Sequence, residues 1–326
     1  MWITTLSTWI RCWIIRVKSI RQHALSGGLI IANGFQNRKK QTGRIKKMGH
    51  LIGKEYCLEH LIEVAKSIVL AIHKAPQITG KTKIEAEIIW GEDILPIIEV
   101  MGPVAKVMRY VQWDYETIKN CYDKGESPVI ILIGGKIASS NLNWNCGACG
   151  FSTCKEFNAY SKENKGGGQL GGPSCNWKVL DWAMACDWAC ASAWQYRVDN
   201  RIMGSVGFAT NALGFMPNMD AQLGLALGPP RDMVYYNREE MHKSMSYELD
   251  KQDMVSCVPN MFTCFPGGGK PMYKTKDDWW APPEFMGVGY SEQVMEAYQQ
   301  VLFEQVPEMV VKHADKIAER YKNKNK

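Results

Sequence analysis

Three cysteines at C-x2-C-x4-C spacing, Cys146, Cys149 and Cys154, are followed after twenty intervening residues by a fourth, Cys175. No other stretch restricts the chain as much. The two-residue gap lets two sulfurs face inward from one tight turn. Gly147 and Gly150 remove side chains where backbone N–H groups must come close to whatever the sulfurs hold. Four thiolates are what one cubane iron–sulfur cluster requires. A four-cysteine zinc site is the rival, since soft thiolates bind both. Structural zinc usually takes two C-x2-C knuckles, and the second half here offers only Cys175. Disulfides fit less well with close spacing, glycine-rich turns and no secretory pattern. The residues favour iron–sulfur and leave zinc open.

Composition limits the remaining function classes. The chain has 326 residues, 46% of them hydrophobic, enough for a full core in one or two domains. Its eleven cysteines are an odd number, unevenly clustered, as expected of ligands in a reducing, cytoplasmic setting. The formal charge of +6 arises at one end. Residues 1–47 hold ten Lys/Arg and no acid, and removing those ten from 39 leaves 29 basic against 33 acidic residues, a net −4. A mildly acidic body argues against nucleic acid as a partner.

Residues 1–24 space Trp2, Leu6, Trp9, Trp13, Val17 and Ile20 as an amphipathic helix with interspersed Arg and Lys. Membrane-surface contact, a transit peptide and an upstream extension all fit this pattern, and the extension, residues 1–47, is favoured. The body is expected over 48–250 and a C-terminal extension over 251–326. Periodicity predicts helices over 55–74, 92–108 (interrupted at Gly102-Pro103), 154–160, 205–213 and 291–322, the last broken near Pro307. Strands are expected over 83–90, 129–134 and 223–227. Residues 177–196 are apolar nearly all round and read as a buried helix, and 198–204 as a polar connector. Gly80-Lys81-Thr82 suggests a phosphate loop, but Ala75 stands where its first glycine belongs. Cys186 and Cys190, at i and i+4, read as packing residues rather than redox partners. Cys257 and Cys264 are too few for a second metal site, and His242 and His313 are lone histidines.

The stretch from Asn145 through Cys154 to Phe157 resembles the cluster motif of an uncharacterised family of prokaryotic proteins with a ferredoxin domain. Gly172-Pro173-Ser174-Cys175, Lys178, Asp181 and Val198–Met203 continue the resemblance. It implies a [4Fe–4S] cluster on Cys146, Cys149, Cys154 and Cys175. The order of elements also looks like the nitroreductase fold, with Ala75-Pro76 ending a helix and residues 225–238 carrying basic side chains. That second resemblance implies an α+β fold: a mixed sheet flanked by helices, with the four-cysteine loop inserted. It also implies a homodimer and FMN, with Arg201, Arg231 and Arg238 as candidates for anion contacts. The basic Arg-x-Ser-x-Arg pattern of nitroreductases is absent.

Two functions follow. One is an iron–sulfur redox protein of anaerobic metabolism, passing electrons to a partner protein or reducing a small molecule, with or without flavin. The other is a non-enzymatic module in which the metal is structural and the protein docks a partner. No acid–base pair or nucleophile constellation is visible.

Overall fold

The structure is a computed structural model that describes residues 52–164, 172–235 and 292–322. The expectations for residues 1–47, Arg238, His242, Cys257 and Cys264 lie outside these residues. The described elements belong to one compact unit that begins at Gly53.

Four strands form the sheet: β1 (Ile84–Ile89), β2 (Val129–Gly135), β3 (Asn200–Met203) and β4 (Ala221–Leu227), in spatial order β1-β2-β4-β3. The fold is α+β. All three described pairings are antiparallel, where a mixed sheet was expected. Between β1 and β2 the chain runs through two helices, Leu95–Ala105 and Arg109–Asp123, and comes back to the end of the sheet where β1 finished, so β2 starts there and runs the opposite way.

Helix α1 (Gly53–Lys74) buries Leu61, Ala65, Ile68 and Ile72 along one stripe. His73 and Lys74 lie in its last turn, where cations suit the helix dipole, and Pro76 follows. Helix α2 (Leu95–Ala105) runs through Gly102-Pro103 instead of breaking there. Pro103 lies so near the C-terminus that little helix remains to be disturbed. A Cβ on Gly102 would lie 3.4 Å from the Tyr115 ring of the next helix, so the glycine sets their close approach. That helix, α3 (Arg109–Asp123), was not anticipated: its inward positions Val111, Ile118 and Cys121 share a face with the buried Asp114, which interrupts the apolar pattern.

Beyond β2 come α4 (Cys154–Glu163) and α5 (Asn176–Gln195); α6 (Gly204–Ala212) joins β3 to β4. The predicted connector over 198–204 contains β3, which among the described strands pairs only with β4 and lies at the edge. The small residues of α6 let it pack closely on the sheet. A Cβ on Gly207 would stand 2.1 Å from the Gln222 carbonyl oxygen. Helices α7 (Glu292–Gln300) and α8 (Val306–Lys322) are joined by a π-helical turn, Val301–Gln305. The break falls just before Pro307, whose missing N–H disturbs the regular ladder.

The sheet is covered on both faces. Ile131 and Ile133 of β2, with Leu225 and Leu227 of β4, pack with α1 and α5; Ile130, Leu132 and Ala226 face the core built with α2, α3, α6 and α8. Every residue of β2 is therefore buried, although its partners are antiparallel. Glycines admit the covering side chains: a Cβ on Gly135 would be 2.7 Å from Trp182, on Gly134 2.6 Å from Met219, and on Gly224 2.3 Å from Val206. Helix α5 departs from expectation. Trp182, Ala185, Ala189 and Ala193 are buried, but Leu180, Trp188 and Trp194 are 40%, 44% and 42% exposed. It forms a single outer layer beside α1, so its far face meets no described element. Among the described residues, no helix is long and apolar enough to cross a membrane.

Candidate metal centre

The cysteine loops hang from the end of β2. The Ile137 carbonyl accepts the Cys175 N–H at 2.9 Å. The Ala138 carbonyl accepts the Ser161 hydroxyl at 2.5 Å, and the same hydroxyl reaches the Pro173 carbonyl at 3.4 Å. The Ser140 N–H donates to Asn158 Oδ1, and Asn158 Nδ2 donates back to the Ser140 carbonyl, both at 2.7 Å. Residues 137–140 thus carry the fourth cysteine on one side and α4 on the other. Helix α4 starts where it does because Thr153 and Glu156 form a reciprocal capping box, each side chain bonded to the other's backbone N–H at 3.1 Å.

All four candidate cysteines border one pocket, together with Ser140, Leu142, Trp144, Phe151, Thr153, Asn176 and Trp177. Cys146 is exposed, Cys149 and Cys154 are half-buried, and Cys175 is buried. Gly147 and Gly150 have φ of 73° and 86°, and the Gly150 N–H closes a turn on the Gly147 carbonyl at 2.9 Å. Their left-handed backbone is a further reason for glycine directly after each of the first two thiols. Leu142, Phe157 and Cys175 form a small core of their own, with Phe151 and Trp177 packed against it.

Donors point at the sulfurs. Trp177 Nε1 lies 3.2 Å from Cys146 Sγ, and the Ser140 hydroxyl 3.5 Å from Cys154 Sγ. The Cys154 thiol is held below the usual thiol range, first by Ser140 and then by the backbone of Asn145, with smaller help from Trp144 and Asn143. Asn143 and Asn145 have φ of 56° and 48°. Asparagine tolerates that region better than most residues, and successive amides there make an anion-binding nest. Two helices add to the effect: Cys154 is the first residue of α4, and Cys175 is the N-cap of α5. The positive end of a helix dipole favours thiolate. The donor set fits an anionic metal–sulfur centre. Among the described residues, however, no three His, Cys, Asp or Glu side chains are drawn together tightly enough to hold a single metal ion.

Behind Cys175 lies a buried polar group. Lys178, on the first turn of α5, is 4% exposed. Burial pushes its ammonium down from the ordinary lysine value, while Cys175 and Asp220 pull it up. Asp181, one turn on, is fully buried and accepts from Ile78 N at 2.6 Å, Thr79 Oγ1 at 2.5 Å and Thr82 Oγ1 at 2.7 Å. The segment that superficially resembled a phosphate loop is therefore a loop wrapped on a carboxylate. Asp220 accepts the Ala138 N–H at 2.9 Å.

The remaining candidates lie elsewhere. Arg201 on β3 faces Asp114 at 3.9 Å, and Arg231 is engaged by Glu126 through both Nε and a terminal nitrogen. Neither borders the cysteine pocket. Burial pushes the Cys186 thiol up to about 12 and the Cys190 thiol up to about 11, which leaves both protonated, as packing residues should be. Sequence reasoning missed Ser140 and Asn143. The only signal for Thr153 and Glu156 was the Thr-x-x-Glu spacing of a capping box.

A family model described as "uncharacterized protein containing a ferredoxin domain" matches residues 171–238, a span that includes Cys175, Lys178 and Asp181. An uncharacterized protein of Archaeoglobus fulgidus is 30% identical over 164 residues, 50% of this chain and 84% of the relative. No solved structure matches the chain. A relative covered over most of its length, matched at this identity, places the chain in the family of uncharacterized proteins that contain a ferredoxin domain.

Proposed function

We propose that the chain is an iron–sulfur electron-transfer protein that holds one [4Fe–4S] cluster on Cys146, Cys149, Cys154 and Cys175. The observation that carries this reading is the single pocket bordered by all four thiols, with donors aimed at two of the sulfurs. Structural zinc usually takes two C-x2-C knuckles, and the single cysteine of the second half favours the cluster over zinc. A bound cluster supplies reversible one-electron chemistry. The chain's own residues hold the thiolates, direct N–H and O–H groups at them, and exclude water with Leu142, Phe151, Phe157 and Trp177. Exposed Cys146 marks the side open to a redox partner or a small-molecule acceptor.

Arg201 and Arg231 already face carboxylates, so the reading rests on the cluster alone and needs no FMN. Anaerobic purification is the test. The expected product is brown, with about four iron and about four sulfide per chain, and is bleached by dithionite. Colourless protein carrying zinc would instead support the structural docking module. Flavin released on heating would add small-molecule reduction.

A further inference from the structure

Lysine is almost never buried without partners, and the partners of Lys178 are unusual. Cys175 is the N-cap of α5 and Lys178 stands three residues on, so their side chains share one face of the first turn. Two further carboxylates act on the ammonium from different elements: Asp220, just before β4, and Asp181, on the next turn of α5. Lys136, just past β2, opposes them. Neither carboxylate belongs to Lys178 alone. Asp181 is occupied by Ile78, Thr79 and Thr82, and Asp220 by the Ala138 N–H. A thiolate at Cys175 would make a third negative charge in one largely buried neighbourhood, with Lys178, among the described residues, the only cation there that is itself buried. Charges at such separations interact far more strongly in a protein interior than in water.

We infer that Lys178 is the fixed positive charge that sets the reduction potential of the centre at its Cys175 corner. Asp220 and Asp181 favour its charged form. The inference rests on the iron–sulfur reading above. The step it governs is the uptake of one electron from a low-potential donor, with dithionite as the probe: the S–S bond of dithionite breaks, each SO2 radical anion gives up one electron and hydrates to bisulfite with release of a proton to solvent, and the cluster gains one negative charge with no bond to the protein made or broken. A buried cation favours the more negative state.

The test uses the full chain, anaerobically loaded, as wild type, Lys178→Met, Lys178→Arg and Asp220→Asn. Iron, sulfide and midpoint potential are measured for each. Lys178→Met should keep its iron and sulfide while the oxidised form gains at least tenfold at a fixed potential, a fall of about 59 mV for one electron. Lys178→Arg should stay close to wild type, and Asp220→Asn should move the opposite way. An unchanged potential in loaded Lys178→Met overturns the inference, as does Lys178→Arg behaving like Lys178→Met, which would make shape the cause. If Lys178→Met fails to load, Asp220→Asn decides, and an unshifted potential there overturns the inference. Wild-type protein without iron and sulfide removes the iron–sulfur reading and this inference together.

Discussion

The middle of the sheet and its cysteine-bearing end are built from different forces. At the middle, β2 and β4 are closed on both faces by aliphatic side chains, and stability comes from apolar area removed from water. At the end, residues 137–142 are held by directional bonds: serine and asparagine side chains to backbone, aspartate to N–H groups, and N–H and O–H groups to sulfur. The first kind of construction spreads its energy over many contacts. The second concentrates position in a few atoms, as a ligand cradle must. Substitutions in the two regions should therefore fail differently.

The largest effect belongs to the middle. Ile131→Ala, at a fully buried position, should cost about 2–5 kcal/mol in urea unfolding. A cost below ~1 kcal/mol would break the contrast, because the core would then be able to collapse around the cavity. Asp181→Ala comes next. It strands the donors of Ile78, Thr79 and Thr82, at about 1–3 kcal/mol for a buried donor left unpaired. Hydrogen exchange should rise first in residues 77–82; uniform loss of protection would show that Asp181 supports the whole core. Thr153→Ala removes one half of a capping box and should cost about 1 kcal/mol. The same variant should retain iron less well than Ile131→Ala does at matched stability, a comparison that separates local from global damage.

The smallest effect lies at α8. The Lys312 bond, more than His313, holds the Glu99 carboxyl below the usual carboxylate range. A group whose folded value is depressed contributes above its unfolded value and loses that contribution as pH falls through the folded one. Glu99→Gln should thus flatten the acid limb of the stability profile slightly, by under ~1 kcal/mol, since the pair is partly solvated. An unchanged acid limb would assign that loss to other carboxylates.

Legibility followed the same division. The apolar periods of α1 and β2 were plain in the sequence because one force writes one pattern. Helix α3 was hidden because Asp114 sits on its inward face, bonded to Ser205 at 2.6 Å. Strand β3 was hidden because it is four residues long and reads as polar, Asn200 and Arg201 opening it. The outer face of α5 was misjudged because apolar composition reports a preference for burial, while exposure depends on what packs outside it. At the centre, the thiols were legible from spacing alone. Ser140 was not: a lone serine carries no period, and its position depends on the path of the chain after Gly135. Nor did anything in the sequence distinguish Arg201 and Arg231, held by Asp114 and Glu126, from free anion-binding arginines.

A strand as oily on one side as on the other has no polarity to tell it which way up to lie, and β2 is such a strand. Volume settles the matter instead. Sliding β2 by a single position one way would force Ile133 into the space of Gly134 against Met219, and sliding it the other way would thrust Lys136 under the Trp182 indole. Either slip would also carry residues 137–142, and both thiol loops hung on them, along the sheet by about 3.4 Å. Two hydrogen atoms in place of side chains, at Gly134 and Gly135, thus act as the locating pins by which a greasy scaffold fixes where the pocket bordered by four thiols lies.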